Sequence, residues 1–452
     1  MGDLNAVDYA QVAHMNVICS SGGLRDECLL RYRAPLPRGP VYDGVVVDDR
    51  VVMSKVSRGG ADPRRRDEGT DVIERAQPAY AAAGLKTKES KRVRRAAVAE
   101  PWGARIDGRE GTVRAKDESV QRTVAFTMAL LGLGVSTAGL WDAAIGLWTH
   151  LLLYRRVAFG LLGHVYTFSP APGVVERPSA VARDELLMLL AFAPLLVADI
   201  RSPVSTTVTA CDASPWACAG VEAELSEQTV SELWRFRDRR GGYVRCETPF
   251  EAVARDIMSS DDEAAQRALE SAYADDGEEV PTLTDHERQF SWVSEIAEAV
   301  GWRPAYRYRA RLSEHINLKE ARAYRTLVRR KAADAKAHGS RHLVLNDSFV
   351  VRGSAAKGRS SSWGLNAITS PVVPDQLVAN QTFGTLAVPT KHNPADDPTR
   401  DRPVRRRPVI PYPDWLLKLD NGQYAAWDER YGALPCATPD VLFPVGAISE
   451  CE

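Results

Sequence analysis

No two of the seven cysteines in this sequence stand in a CxxC or zinc-ligand spacing. They read as reduced thiols, which excludes a disulfide framework or a zinc knot. A secretory leader is missing as well. Met1 is followed by Gly2-Asp3-Leu4-Asn5, without a basic segment and an apolar one behind it. The expectation is an intracellular protein, cytoplasmic or nuclear and not secreted. Long apolar runs are also short of what a membrane demands. Ala125 to Trp141 is rich in Gly, Ser and Thr, and Leu186 to Ala198 contains Pro194. Neither reaches the about 18–20 uninterrupted apolar residues of a span, so both are expected to be buried helices and no membrane partner is expected. Internal repeats are absent.

Charge of one sign is lacking overall, with a net charge of −1, yet its distribution is uneven. Lys86 to Arg95 and Arg402 to Arg407 are basic, and Ser259 to Glu279 is acidic. Such runs are solvated faces or nucleic-acid contacts, and composition alone does not separate the two. With 452 residues, 44% of them hydrophobic and 26% charged, the chain has room for two or three globular domains.

The pattern divides the chain. Val45-Val46-Val47, Asp48-Asp49 and Val51-Val52-Met53 spell a hairpin with an acidic tip. From about Lys116 to Asp199 the text is helical. Strand signals return at Thr206 to Cys211, Tyr306 to Arg311, His342 to Leu345 and Phe383 to Val388, with a helix over Leu318 to Ala337. Strands and a helix in this succession predict an α/β domain. The acidic stretch is expected to be an insertion between its first two strands.

Four acids fall near the ends of these elements: Asp212, Glu320, Asp347 and Asp396. Each has an ordinary reading. Asp212 with Ser214 and Pro215 fits an Asx turn. Glu320 fits an exposed helix carboxylate beside Arg322 or Arg325. Asp347 with Ser348 fits a helix cap, and Asp396 with Asp397 fits a helix N-terminus. Together they allow another arrangement, in which carboxylates converge at one end of a sheet. Such a cluster suits two hard divalent cations, Mg²⁺ or Mn²⁺, placed for in-line attack on a phosphodiester.

The strings CDAS at 211–214, HINLKE at 315–320, LNDS at 345–348 with KGRSS at 357–361, and NPADDPTR at 393–400 resemble the signature segments of type 1 ribonuclease H domains in retroelement polyproteins. They are most similar to those of retrotransposon and pararetrovirus-like reverse transcriptases, over about 204–400. The resemblance implies an RNase H-like α/β domain with a mixed sheet. It implies Asp212, Glu320, Asp347 and Asp396 as catalytic ligands of two cations, with Asp397 the competitor for the last place. Lys357 and Arg359 would lie near a nucleic-acid backbone, and Lys91 and Arg92 are further candidates. The family's His-Val-Pro-Gly turn reads Ala387-Val388-Pro389-Thr390 here, with His392 nearby.

The first half extends the resemblance. Val46-Val47-Asp48-Asp49 is similar to the palm motif of reverse transcriptases. Gln11 and His14 upstream, and Trp102 to Ile106 downstream, resemble its flanking segments. The implied organisation is a partial palm at 1–115, a helical thumb or connection at 116–200, the RNase H-like domain at 201–405 with the acidic insertion near 248–285, and a tail at 406–452. The chain would then begin inside the palm, so no RNA-directed DNA polymerase activity is expected from it alone. The implied function is cleavage of the RNA strand of RNA–DNA hybrids. The alternative is a catalytically decayed, nucleic-acid-binding remnant of a retroelement.

Overall fold

The protein is described by a computed structural model, in which residues 6–31, 35–56, 67–239, 264–268, 271 and 291–429 are described. Most of the acidic insertion near 248–285 and the tail beyond residue 429 lie outside them. The chain forms two compact units, Met1–Lys116 with Ala425–Glu452, and Asp117–Tyr424. Helices and both antiparallel and mixed sheets make this an α/β protein.

In the first unit, α1 (Ala6–Ser20) and α2 (Glu68–Ala82) accompany a hairpin of β1 (Val41–Val46) and β2 (Asp49–Ser54). Its turn is Val47-Asp48, one residue earlier than the sequence pattern implies, because Asp49 already pairs with Val46. Val47 adopts a left-handed φ of 53° there. Gln11 enforces the turn, donating to the Val45 carbonyl and accepting from the Val47 amide at 2.6 Å. His14 adds a bond to the Val47 carbonyl and another to the Tyr80 hydroxyl. A short antiparallel meander follows, β3 (Val98–Ala99), β4 (Ala104–Asp107) and β5 (Thr112–Ala115).

The second unit opens with α3 (Asp117–Leu133), α4 (Ala138–Leu152) and α5 (Ala180–Phe192). The apolar stretch from Ala125 to Trp141 is therefore two helices rather than one, and Thr137 caps the second. Each is only half buried: Trp141 and Trp148 point into the core, whereas Met128 and Leu187 face solvent. Among the described residues no helix is long and apolar enough to cross a membrane.

A five-stranded sheet forms the rest of the core. Its strands are β6 (Thr207–Ala213), β7 (Ala217–Glu224), β8 (Arg303–Arg309), β9 (Arg341–Asn346) and β10 (Thr382–Ala387), in the order β10-β9-β6-β7-β8. Strands β6, β9 and β10 are parallel, while β7 is antiparallel to both of its neighbours. β7 is a strand that the sequence pattern hides. It reads Ala-Cys-Ala-Gly-Val, with few β-branched residues, because it is buried under tightly packed neighbours. Gly220 is needed there: a Cβ would sit 2.3 Å from the Tyr306 ring. The acidic insertion accordingly lies between the second and third strands.

The helix α6 (Ile316–Ala333) covers one face of the sheet. Ala321, Tyr324, Leu327 and Val328 pack with Cys211, Cys218 and Val344. Burial at this helical spacing is what ties the helix to the sheet and fixes the position of its first turn.

Candidate metal-binding and nuclease site

Strand β6 leads to β7 on one side, and β9 leads to β10 on the other. The boundary between β6 and β9 is thus where the strand order reverses, and open α/β sheets bind ligands beyond the carboxyl ends of such strands. Val344 pairs with Thr209 and Leu345 with Ala210. Continued by two residues, that register sets Asp347 beside Asp212, both on the same face by the two-residue period of strands.

Asp212 is 4% exposed and accepts the Thr399 hydroxyl at 3.2 Å. Burial first, and then the Asp347 and Asp396 carboxylates, push its carboxyl up to about 8. The Ala213 amide and the Thr399 hydroxyl oppose that rise without cancelling it. Asp347 follows β9 directly and accepts from the Asn393 side-chain amide at 3.1 Å. Glu320 lies in the first turns of α6, its carboxyl raised by burial and then by Asp347, against a hydrogen bond with Ser348. The ordinary pairing of Glu320 with Arg322 does not occur, since Arg322 grips Glu314 through both Nε and a terminal nitrogen.

Asp396 opens a short helix, α7 (Asp396–Thr399), and pairs with Arg400 at 2.7 Å. Asp397 turns elsewhere, to Arg405 at 2.5 Å and Arg402 at 3.9 Å. Asp212, Asp347 and Asp396 therefore share one electrostatic neighbourhood that also reaches Glu320, and Asp397 is spent on a separate ion pair. As the side chains stand, no three His, Cys, Asp or Glu among the described residues form a group able to hold a metal ion. The Asp396 carboxylate is paired with Arg400.

Residues between the acids set the geometry. Asn393 is fully buried; its amide nitrogen reaches Asp347 and the Cys211 carbonyl, and its oxygen takes the Ala395 amide. Asn346 ties β9 to the Cys211 carbonyl at 3.1 Å and takes the Ser348 amide. Thr399 links α7 to Asp212, and Ser214 donates to the Thr399 carbonyl at 2.8 Å. These polar residues stand in the same strings as the acids, so their neighbourhood was a signal, although their roles were not readable from spacing.

Other candidates stand apart from the cluster or have local partners. The Arg359 guanidinium lies 4.0 Å from the centre of the Tyr166 ring. Lys357 ends a helix, α8 (Phe349–Lys357), whose Gly358 cap has a φ of 81°. His392 pairs with Glu298 at 2.6 Å. Arg405 serves Asp397, and its carbonyl accepts the Trp302 amide, so part of the second basic run is a structural strap. In the first unit, Asp48 and Asp49 are exposed at the hairpin, Arg92 pairs with Glu89 at 2.8 Å, and Lys91 is exposed.

No family model and no curated protein matches the chain. Among solved structures the chain is similar to one described as the foamy viral protease-reverse transcriptase in complex with RNA/DNA hybrid. The identity is 11% and the TM-score 0.27, over 77% of this chain and 56% of that chain. The chain thus spans little more than half the length of that protein.

Proposed function

We propose that the unit Asp117–Tyr424 is a divalent-cation-dependent nuclease that cuts the RNA strand of RNA–DNA hybrids. One observation carries the reading: Asp212 is buried near the carboxyl end of β6, beside the parallel strand that Asp347 follows, and burial with the Asp347 and Asp396 carboxylates raises its carboxyl to about 8. Crowded carboxylates are costly unless cations offset them, and an all-oxygen donor set of Asp212, Glu320, Asp347 and Asp396 suits Mg²⁺ or Mn²⁺. Two such cations would supply charge neutralisation and Lewis-acid polarisation for displacement at a phosphodiester.

The chain's own residues would orient that set. Thr399 fixes one oxygen of Asp212, Asn393 fixes one oxygen of Asp347, and a bond with Ser348 restrains Glu320. Choice of RNA would come from contacts to the 2′-hydroxyl, which need no base sequence. Backbone contacts from cations such as Lys357 would make binding weaken with salt. A second reading, a protein that binds hybrid without cutting it, draws on His392 being committed to Glu298.

The test is a panel of labelled substrates with Mg²⁺, Mn²⁺ or chelator. Cleavage of the RNA strand of a hybrid, with single-stranded RNA and duplex DNA spared, is expected only with cation. Hybrid binding without cleavage in either cation would select the second reading.

A further inference from the structure

We infer that Trp216 is a nucleic-acid contact, packing on a nucleotide ring of a bound strand while Arg309 and Arg311 beside it meet the flanking phosphates. Such a contact rests on the hybrid-cutting reading for the identity of the ligand, and it needs no cation. Strand β6 ends at Ala213, and the chain turns through Ser214, Pro215 and Trp216 into β7. The turn is fastened at three points. The Trp216 amide donates to the Ser214 hydroxyl at 3.2 Å, and the Trp216 carbonyl accepts the Ala310 amide at 2.7 Å. Beneath them the buried Lys319 ammonium donates to the Pro215 carbonyl at 2.9 Å. On this fastened turn the Trp216 side chain is left 67% exposed.

A single exposed apolar side chain is ordinary on a protein surface and needs no partner. The charge beside this one is what selects a ligand. Strand β8 carries Arg303, Arg307 and Arg309. Arg303 is paired with Glu222 and Glu224, and Arg307 with Asp401. Arg309 lies opposite Ala217, the residue after Trp216, and meets no carboxylate among the described residues. Arg311 reaches only Glu314, at 3.5 Å, and Glu314 is already held by Arg322. The arginines thus lose their acids towards the end of the sheet where Trp216 stands. An exposed indole beside cations without firm partners matches a nucleic-acid strand, which offers flat rings between phosphates. Phosphate and ring contacts of this kind hold the strand in place without reading its sequence.

The full chain and its Trp216→Ala, Trp216→Phe and Arg309→Gln variants would be titrated against an end-labelled RNA–DNA hybrid with chelator present. Fluorescence anisotropy across a salt series reads the affinity. Because both side chains are exposed, every variant should melt with the parent. Trp216→Ala is expected to bind about tenfold more weakly, the scale of one lost aromatic contact to a nucleotide. Trp216→Phe should stay near the parent. Arg309→Gln should lower the slope of log affinity against log salt by about 0.9, the loss of one phosphate contact. Parent-like affinity and salt slope in Trp216→Ala and Arg309→Gln overturn the inference, whatever the parent cuts. The expected losses in a chain that cuts nothing support the inference and overturn the nuclease reading. A parent that binds no hybrid in chelator overturns the inference as well, and cleavage in Mn²⁺ then decides the nuclease reading by itself.

Discussion

Asp212 couples the site to pH in a direction that can be worked out. Its folded carboxyl is raised to about 8, against about 4 for an exposed aspartate. A raised folded value means that the protonated form is favoured on folding. The stabilisation is complete below about pH 4 and is lost as pH rises through about 8. With chelator, the melting temperature of the second unit should fall between pH 6 and pH 9, and Asp212→Asn should flatten that fall. Mg²⁺ should protect more at pH 9 than at pH 6. A parent protein whose chelated melting temperature does not change over this range would refute the burial of a charged Asp212. A second residue-scale prediction concerns Asp43, which is fully buried and pairs with Arg50 at 2.6 Å in the first unit. Asp43→Ala strands a buried guanidinium and should cost about 3–5 kcal/mol in denaturant unfolding of that unit. The sequence pattern singles out Asp48 and Asp49 at the tip instead, because a buried acid in a valine-rich strand carries no local mark.

At the scale of elements, legibility follows the local signal. The helix α6 and strands β6, β9 and β10 were readable because period and β-branched content agree with their burial. Strand β7 was not, because small residues there serve the approach of Tyr306 rather than intrinsic propensity. The Lys357-Gly358-Arg359 stretch has a structural role that its resemblance does not imply. Gly358 ends α8 in the left-handed region with the Arg156 carbonyl 1.8 Å from where a Cβ would stand. Gly358→Ala should therefore destabilise the unit by about 2 kcal/mol or more, through both the backbone conformation and the clash. Thermal unfolding reads this directly; an unchanged midpoint would contradict the packing of Arg156 on the cap.

At the scale of the whole molecule, the order of four acids along the sequence predicted one end of one sheet, and the structure sets Asp212 near the end of β6 and Asp347 directly after β9. What spacing could not supply was the partition of the last two. Asp396 acts electrostatically on Asp212, while Asp397 answers to Arg402 and Arg405, ion pairs five and eight residues away along the chain. Nor could spacing reveal that the three-dimensional neighbours Asn393, Asn346 and Thr399 hold the acids in place. The central claim is that this cluster cuts a phosphodiester. Its most direct test is cleavage of an end-labelled RNA–DNA hybrid in Mn²⁺ by the parent chain, Asp212→Asn and Asp347→Asn, with folding of each checked by circular dichroism. The account predicts RNA-strand cleavage by the parent and a loss of at least about 100-fold in both variants, the scale on which removing one electrostatic stabiliser slows catalysis. Equal cleavage by all three, or none by the folded parent, would contradict it.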